Sequence, residues 1–186
     1  MPARVLTIFT DGVEEIEAVA PVDILTRAGV EVVVAGLKPG SVAGAYGNTL
    51  GAKFSLNEVI NELYDAIVLP GGAVNARELA ASPDVIDMVK RHYEAGRLVA
   101  AICASPSHAL ADAGILKGKR ATGDPGFNEK LAASGAVVTN ELVTVDGNIV
   151  TAMGPGAALQ FGLMLAEMLV DKETADRIAE KWRFKR

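Results

Sequence analysis

Leu98-Val99-Ala100-Ala101-Ile102-Cys103-Ala104-Ser105-Pro106-Ser107-His108-Ala109-Leu110 is the stretch that decides how the chain is read. Its first five residues are apolar and have the length and composition of a strand buried on both faces. Cys103, the only cysteine, follows at once. Ser105-Pro106 then reads as a helix opening, because Ser caps free backbone N–H groups and Pro at the first helical position loses no needed donor. Cys103 is therefore expected at a strand-to-helix turn. A helix N-terminus carries unpaired N–H groups and a partial positive charge, so a thiol held there is expected to titrate below its free value and act as a nucleophile. The alternative is a buried, inert core cysteine.

Upstream, residues 5–9 form a first buried strand, Thr10-Asp11-Gly12 turns it into a helical pattern over 13–28, and 30–35 is a second strand. Strand, helix and strand this closely spaced imply a right-handed crossover in a parallel sheet. A Gly-, Ala- and Ser-rich loop over 36–51 holds a small hairpin around Gly47-Asn48, and Ser55 with Glu58 sets a capping box for a helix over 55–63. A third parallel strand, 66–69, stops at Pro70-Gly71-Gly72-Ala73, and helices follow over 74–80 and 84–95. Downstream of a helix over 105–113 lie a turn at 123–126, a short helix over 127–133 and a hairpin through Asp146-Gly147-Asn148. Gly154-Pro155-Gly156 opens a long helix to Leu169, and 172–182 is the last helix. The expectation is one α/β domain over residues 1–186: a mostly parallel sheet with helices on both faces, whose ligands bind beyond the carboxyl ends of the strands.

Composition narrows the chemistry. The chain has 186 residues, 50% hydrophobic and 5% aromatic, with a net charge of −5. Nothing in that balance invites nucleic acid or an anionic membrane, and no apolar run is long enough to span a bilayer. A single cysteine allows no disulfide within the chain, and an exposed thiol is best kept in a reducing compartment, so a cytoplasmic protein is expected.

The first helix carries Glu14, Glu15 and Glu17, ordinarily a solvated first turn. Glu17 differs, since its helical neighbours Val13, Ala20, Pro21 and Ile24 are apolar or ring residues, although Glu15 is also partly flanked by apolar residues and periodicity alone does not choose between them. A carboxyl buried beside a thiolate has its pKa raised and becomes a proton shuttle. Gly72 and Ala104 offer N–H groups for an anion hole, with Gly71 completing the turn. Histidines argue against a peptidase: His92 lies in a polar segment and reads as a surface residue, and His108 lies roughly 140° round the helix from Cys103 and should point elsewhere. No His, Cys or carboxylate spacing marks a metal site.

Four motifs in order, Asp11 to Asp23, Val68 to Gly72, Ala100 to Ala104 and Gly154 to Gly156, resemble the ThiJ/PfpI superfamily, and within it the branch of the Parkinson disease protein deglycase and its bacterial relatives. The resemblance implies a flavodoxin-like three-layer sandwich, a homodimer and a nucleophile elbow at Cys103 in contact with a protonated Glu17, with Gly72 and Pro155 at the pocket. It implies cofactor-independent conversion of methylglyoxal or glyoxal to hydroxy acids, or repair of early glycation adducts. It also implies a stress-sensing role through Cys103 oxidation, in some members with chaperone activity. Ala104 stands where the peptidase branch has histidine, Asp124 where human-like members carry a pocket histidine, and Asn48 where a second arginine is expected beside the one matched by Arg27.

Overall fold

The computed structural model describes residues 1–186. Its chain runs β1 (Arg4–Phe9), α1 (Glu15–Arg27), β2 (Glu31–Gly36), β3 (Gly40–Ala43), β4 (Thr49–Ala52), β5 (Phe54–Ser55), α2 (Leu56–Val59), β6 (Ala66–Leu69), α3 (Ala73–Ala81), α4 (Pro83–Glu94) and β7 (Leu98–Ile102). It continues through β8 (Arg120–Ala121), α5 (Asn128–Ala133), β9 (Val137–Val138), β10 (Val143–Asp146), β11 (Ile149–Ala152), α6 (Ala158–Leu169) and α7 (Lys172–Lys181). Seven strands form the main sheet in the order β10-β11-β7-β6-β1-β2-β5, parallel except for the edge strand β10. This is the flavodoxin-like α/β sandwich the sequence leads one to expect.

Alternation along the central strands builds two cores. Leu6, Ile8, Ile67, Leu69, Val99 and Ala101 face Leu79, Met88 and Leu110 on one side. Val5, Ala66, Val68, Ala100 and Ile102 face Ile24, Phe161 and Leu165 on the other. Side chains that alternate between two covered faces explain why these strands read as continuous apolar runs. Strand order reverses between β1 and β6, so the chain turns that follow β1, β6 and β7 meet at one edge of the sheet, the place where open α/β sheets bind ligands.

Three local expectations are corrected. The helix after Ser55 has its capping box but lasts only four residues, Leu56–Val59. The segment after Cys103 is a π-helical turn, Pro106–Leu110, and Ser105 is not its cap: Ser105 is itself in the right-handed helical region and its hydroxyl donates to Pro70 O at 2.6 Å. A local cap lost to a long-range acceptor is invisible to spacing rules. His92 is wholly buried rather than on the surface; its Nε2 accepts from the Tyr64 N–H at 3.1 Å and its Nδ1–H donates to Met88 O at 2.7 Å. The hairpin around Gly47-Asn48 is present as β3 paired with β4.

Candidate active site

Cys103 ends β7 in a left-handed conformation, φ 64°, which side-chain-bearing residues rarely adopt. Two hydrogen bonds hold it there: its N–H donates to Ala152 O at 2.9 Å, and its C=O accepts from the Asp124 N–H at 2.7 Å. The thiol is half-buried. Backbone pinned on both sides fixes where the sulfur points, as a positioned nucleophile requires.

The acid opposite the sulfur is Glu17, not Glu15. Glu17 is 1% exposed and accepts the Gly71 N–H at 2.8 Å through Oε2. Oε1 has no partner within ordinary hydrogen-bond geometry, although thiol and carboxyl lie close enough that each enters the other's titration. Glu15 turns the other way, accepting from the N–H groups of Tyr46 and Asn48 and so tethering the β3–β4 loop. The choice between two neighbouring glutamates needed the third dimension. Glu14 supplies it in part: its Oε2 accepts the Glu17 N–H at 2.8 Å as the cap of α1, which sets the helix start and with it which glutamate faces the sheet.

Gly71 and Gly72 are both dictated by space. A β-carbon on Gly71 would sit 2.5 Å from Glu17 Oε2 and 2.6 Å from Cys103 Cβ. Gly72 has φ 91°, and a β-carbon there would stand 2.2 Å from Gly12 O. Asn75, fully buried, stitches the strand ends together: it accepts the Thr10 N–H and donates to Pro70 O and Gly71 O. The sequence reading missed Asn75; an amide three residues past a doubled glycine, in an otherwise apolar turn, was the available signal.

Electrostatics revise the expected low-titrating thiol. Burial pushes the Glu17 carboxyl up to about 7, opposed by the neighbouring Cys103 thiol and the Gly71 N–H and reinforced by the charges of Glu14 and Asp124. Burial pushes the Cys103 thiol up to about 12, and the Glu17 charge adds to it, while the Gly72 N–H pulls the other way. A short π-turn without a cap offers little of the dipole expected from an α-helix. The two groups are coupled: a charge on either disfavours a charge on the other, so the second proton is harder to remove than the first.

Two cavities meet at Cys103, Asp124 and Pro155. One of about 310 Å³ runs toward Leu142 and Met153, and one of about 670 Å³ runs toward Asp11, Glu14 and Tyr46. Gly72 lines the larger. Asp124 lies with Oδ2 3.9 Å from the sulfur and its Oδ1 accepting the Gly126 N–H. Ala104 lines neither cavity, and its N–H has no acceptor in the chain. Arg27 is not brought to the site: it ends α1, paired with Asp23 and lying over the Trp182 ring. His108 also points away, its Nδ1 2.8 Å from Ala104 O and its ring edge-on to Phe127.

Comparison with known proteins places this geometry among relatives. The model of the DJ-1/PfpI family matches residues 3–168. A DJ-1 homolog A of Arabidopsis thaliana is 40% identical over 94% of the chain, which spans 45% of that relative's length. The dj-1beta protein of Drosophila melanogaster is 35% identical over 97% of this chain and 96% of its own, and a deglycase of Pyrococcus abyssi 35% identical over 82% and 91%. Among solved structures, oxidized Toxoplasma gondii DJ-1 superposes with a TM-score of 0.94 at 38% identity, covering 99% of this chain and 100% of its own. Drosophila DJ-1beta superposes with a TM-score of 0.95 at 34% identity, covering 100% of both chains.

Proposed function

The chain belongs to the DJ-1/PfpI family, and from that premise we propose that it is a cysteine-dependent enzyme acting on reactive α-oxoaldehydes or on the early adducts they form with amines. The observation that carries this reading is the buried Glu17 carboxyl, unpartnered at Oε1, beside a Cys103 pinned at positive φ and opening into two cavities.

The steps follow from that pair. Glu17 carboxylate accepts the thiol proton as sulfur bonds to the aldehyde carbon, and the new alkoxide takes up a proton to give a hemithioacetal. Glu17 next moves the proton on that carbon to the adjacent carbonyl carbon. The hydroxyl proton of the first carbon passes to the neighbouring oxygen, so the first carbon is oxidised to a thioester while its neighbour is reduced to an alcohol. Water cleaves the thioester, giving the hydroxy acid and restoring the thiol. Methylglyoxal plus water becomes lactate, and the internal oxidation and reduction balance without an external electron carrier. The Gly72 N–H lowers the pKa of the thiol and so supports negative charge on the sulfur.

A homodimer fits the same reading, since Ile16 and Val19 project from α1 as exposed apolar side chains, 55% and 50% accessible, beside the acid. No helix is long and apolar enough to cross a membrane. The test is lactate formation from methylglyoxal by the purified protein against Cys103→Ser and Glu17→Gln. Both substitutions are expected to abolish it. Should the wild type form no lactate above Cys103→Ser, while mild peroxide adds about 32 Da, two oxygen atoms, at Cys103 alone, oxidation sensing replaces catalysis as the reading.

A further inference from the structure

Every charged side chain that lines the larger cavity is acidic. Asp11 and Glu14 stand along it and Asp124 stands at its junction with Cys103, and neither cavity has a Lys, Arg or His in its lining. None of the three carboxylates is paired with a cation. Asp11 Oδ1 accepts the Ala43 N–H and Glu14 Oε2 the Glu17 N–H, so each spends one oxygen on backbone and keeps the other; Asp124 Oδ1 accepts the Gly126 N–H while its Oδ2 faces the Cys103 thiol at 3.9 Å. The cations nearest to them in sequence are committed elsewhere, Arg4 to Glu31 and Glu62 and Arg120 to Glu141. A fourth carboxyl lies behind the smaller cavity, whose lining includes Gly154. Glu17, 1% exposed, turns its unpartnered Oε1 toward the wall at Gly154, 3.9 Å from where a side chain there would begin.

We propose that Asp11, Glu14 and Asp124 form an electrostatic filter over Cys103 that admits positively charged aldehyde adducts and rejects carboxylate-bearing ones. This deepens the aldehyde reading and rests on it for the identity of the reaction. Three like charges in a concave, partly desolvated cleft raise the local concentration of cations and lower that of anions. The cavity, about 670 Å³, exceeds what a three-carbon aldehyde fills, and Tyr46, 79% exposed at its outer wall, offers an aromatic face to a cationic group. The substrate class that meets these features is an α-oxoaldehyde carried on a guanidinium or amine that keeps its charge. Glyoxylate and aldehyde adducts of acidic thiols are disfavoured.

Thiosulfonate reagents of opposite charge test the filter without needing turnover. The Cys103 thiolate attacks the sulfenyl sulfur, a disulfide forms and methanesulfinate leaves; the trimethylammonium-ethyl and sulfonato-ethyl reagents differ in charge but not in leaving group. Their rate ratio on one protein at one pH cancels the thiolate fraction. The intact wild type in low salt is expected to favour the cationic reagent by at least about tenfold relative to free cysteine, with the preference shrinking as salt screens the cleft. Asp11→Asn and Asp124→Asn are each expected to lower the ratio, and the double variant to bring it close to that of free cysteine. A wild-type ratio equal to that of free cysteine overturns the filter, as does failure of Cys103 to react with either reagent. So does a ratio that rises in Arg27→Ala, because Arg27 of a second copy would then be neutralising the cleft. Lactate formation with an unselective thiol defeats the filter alone, whereas a selective thiol without lactate defeats the aldehyde chemistry alone.

Discussion

Glu17 and His92 are both buried titratable side chains, placed at opposite ends of the same parallel sheet, and they are buried in different ways. His92 lies at the end where β6 and β7 begin, with each ring nitrogen engaged by backbone and its ring stacked on Tyr64. Glu17 lies where those strands finish, with one oxygen engaged and one orphaned beside a strained cysteine. Burial therefore does not mark a site by itself. A satisfied buried group rigidifies a core, whereas an unsatisfied one is held ready for something absent.

The comparison breaks most readily at Gly71. A methyl group there would collide with both the Glu17 carboxyl and the Cys103 side chain, so one of them has to move. Gly71→Ala is expected to cost about 3 kcal/mol, the upper end for overpacking a core. It is also expected to slow alkylation of Cys103 or aldehyde turnover by about 10²-fold, since small misplacements of reacting groups are that costly. Urea unfolding and iodoacetamide kinetics on the same preparation check both. Loss of stability with full reactivity would mean that Glu17 and Cys103 need not meet.

The next effect is one of sign. Glu17 titrates near 7 in the folded protein against an ordinary 4.5, so its protonated form favours folding. That contribution is complete below about 4.5 and gone above about 7, and amounts to about 3 kcal/mol. His92 is displaced the other way, with burial holding its pKa below the ordinary 6.5. Its contribution is complete above 6.5 and is lost as the pH falls through the lowered folded value. Measured against Glu17→Gln, wild-type stability should fall as pH rises from 4.5 to 7; measured against His92→Leu, it should rise with pH over the acid range. At pH 8, His92→Leu is also expected to cost about 1–3 kcal/mol by orphaning the Tyr64 N–H. Parallel slopes in the two comparisons would remove the distinction between the two regions.

These two residues also show where the sequence stops being legible. The strands, the crossovers and the turn at Cys103 follow from apolar runs and Gly-Pro punctuation, which are local signals, and so the fold could be read. Glu17 was half-readable because apolar neighbours at helical spacing narrow three glutamates to two; the Glu14 cap and the Gly71 contact, which decide between them, are tertiary. His92 misled because Lys90, Arg91 and Glu94 around it are polar, yet a helix turns each neighbour onto a different face. The Cys103 thiol misled for a similar reason: the dipole expected from its local motif is outweighed by burial and by carboxylates brought from distant turns.

Ser105 gives the smallest and most discriminating effect. Read locally it is a helix cap; in the structure its hydroxyl, wholly buried, reaches across to Pro70 O and ties the turn after β7 to the turn after β6. Pro70 O also accepts from Asn75 Nδ2, so Ser105→Ala leaves no carbonyl orphaned and is expected to cost only about 1 kcal/mol. A cap would lose a similar amount, so alanine alone does not separate the two roles. Asparagine does, because it caps helices as well as serine but is too large for a site without free surface. Ser105→Asn is therefore expected to cost more than Ser105→Ala in urea unfolding, whereas a variant as stable as wild type would make Ser105 a cap and detach the two turns that hold Gly71 against Cys103.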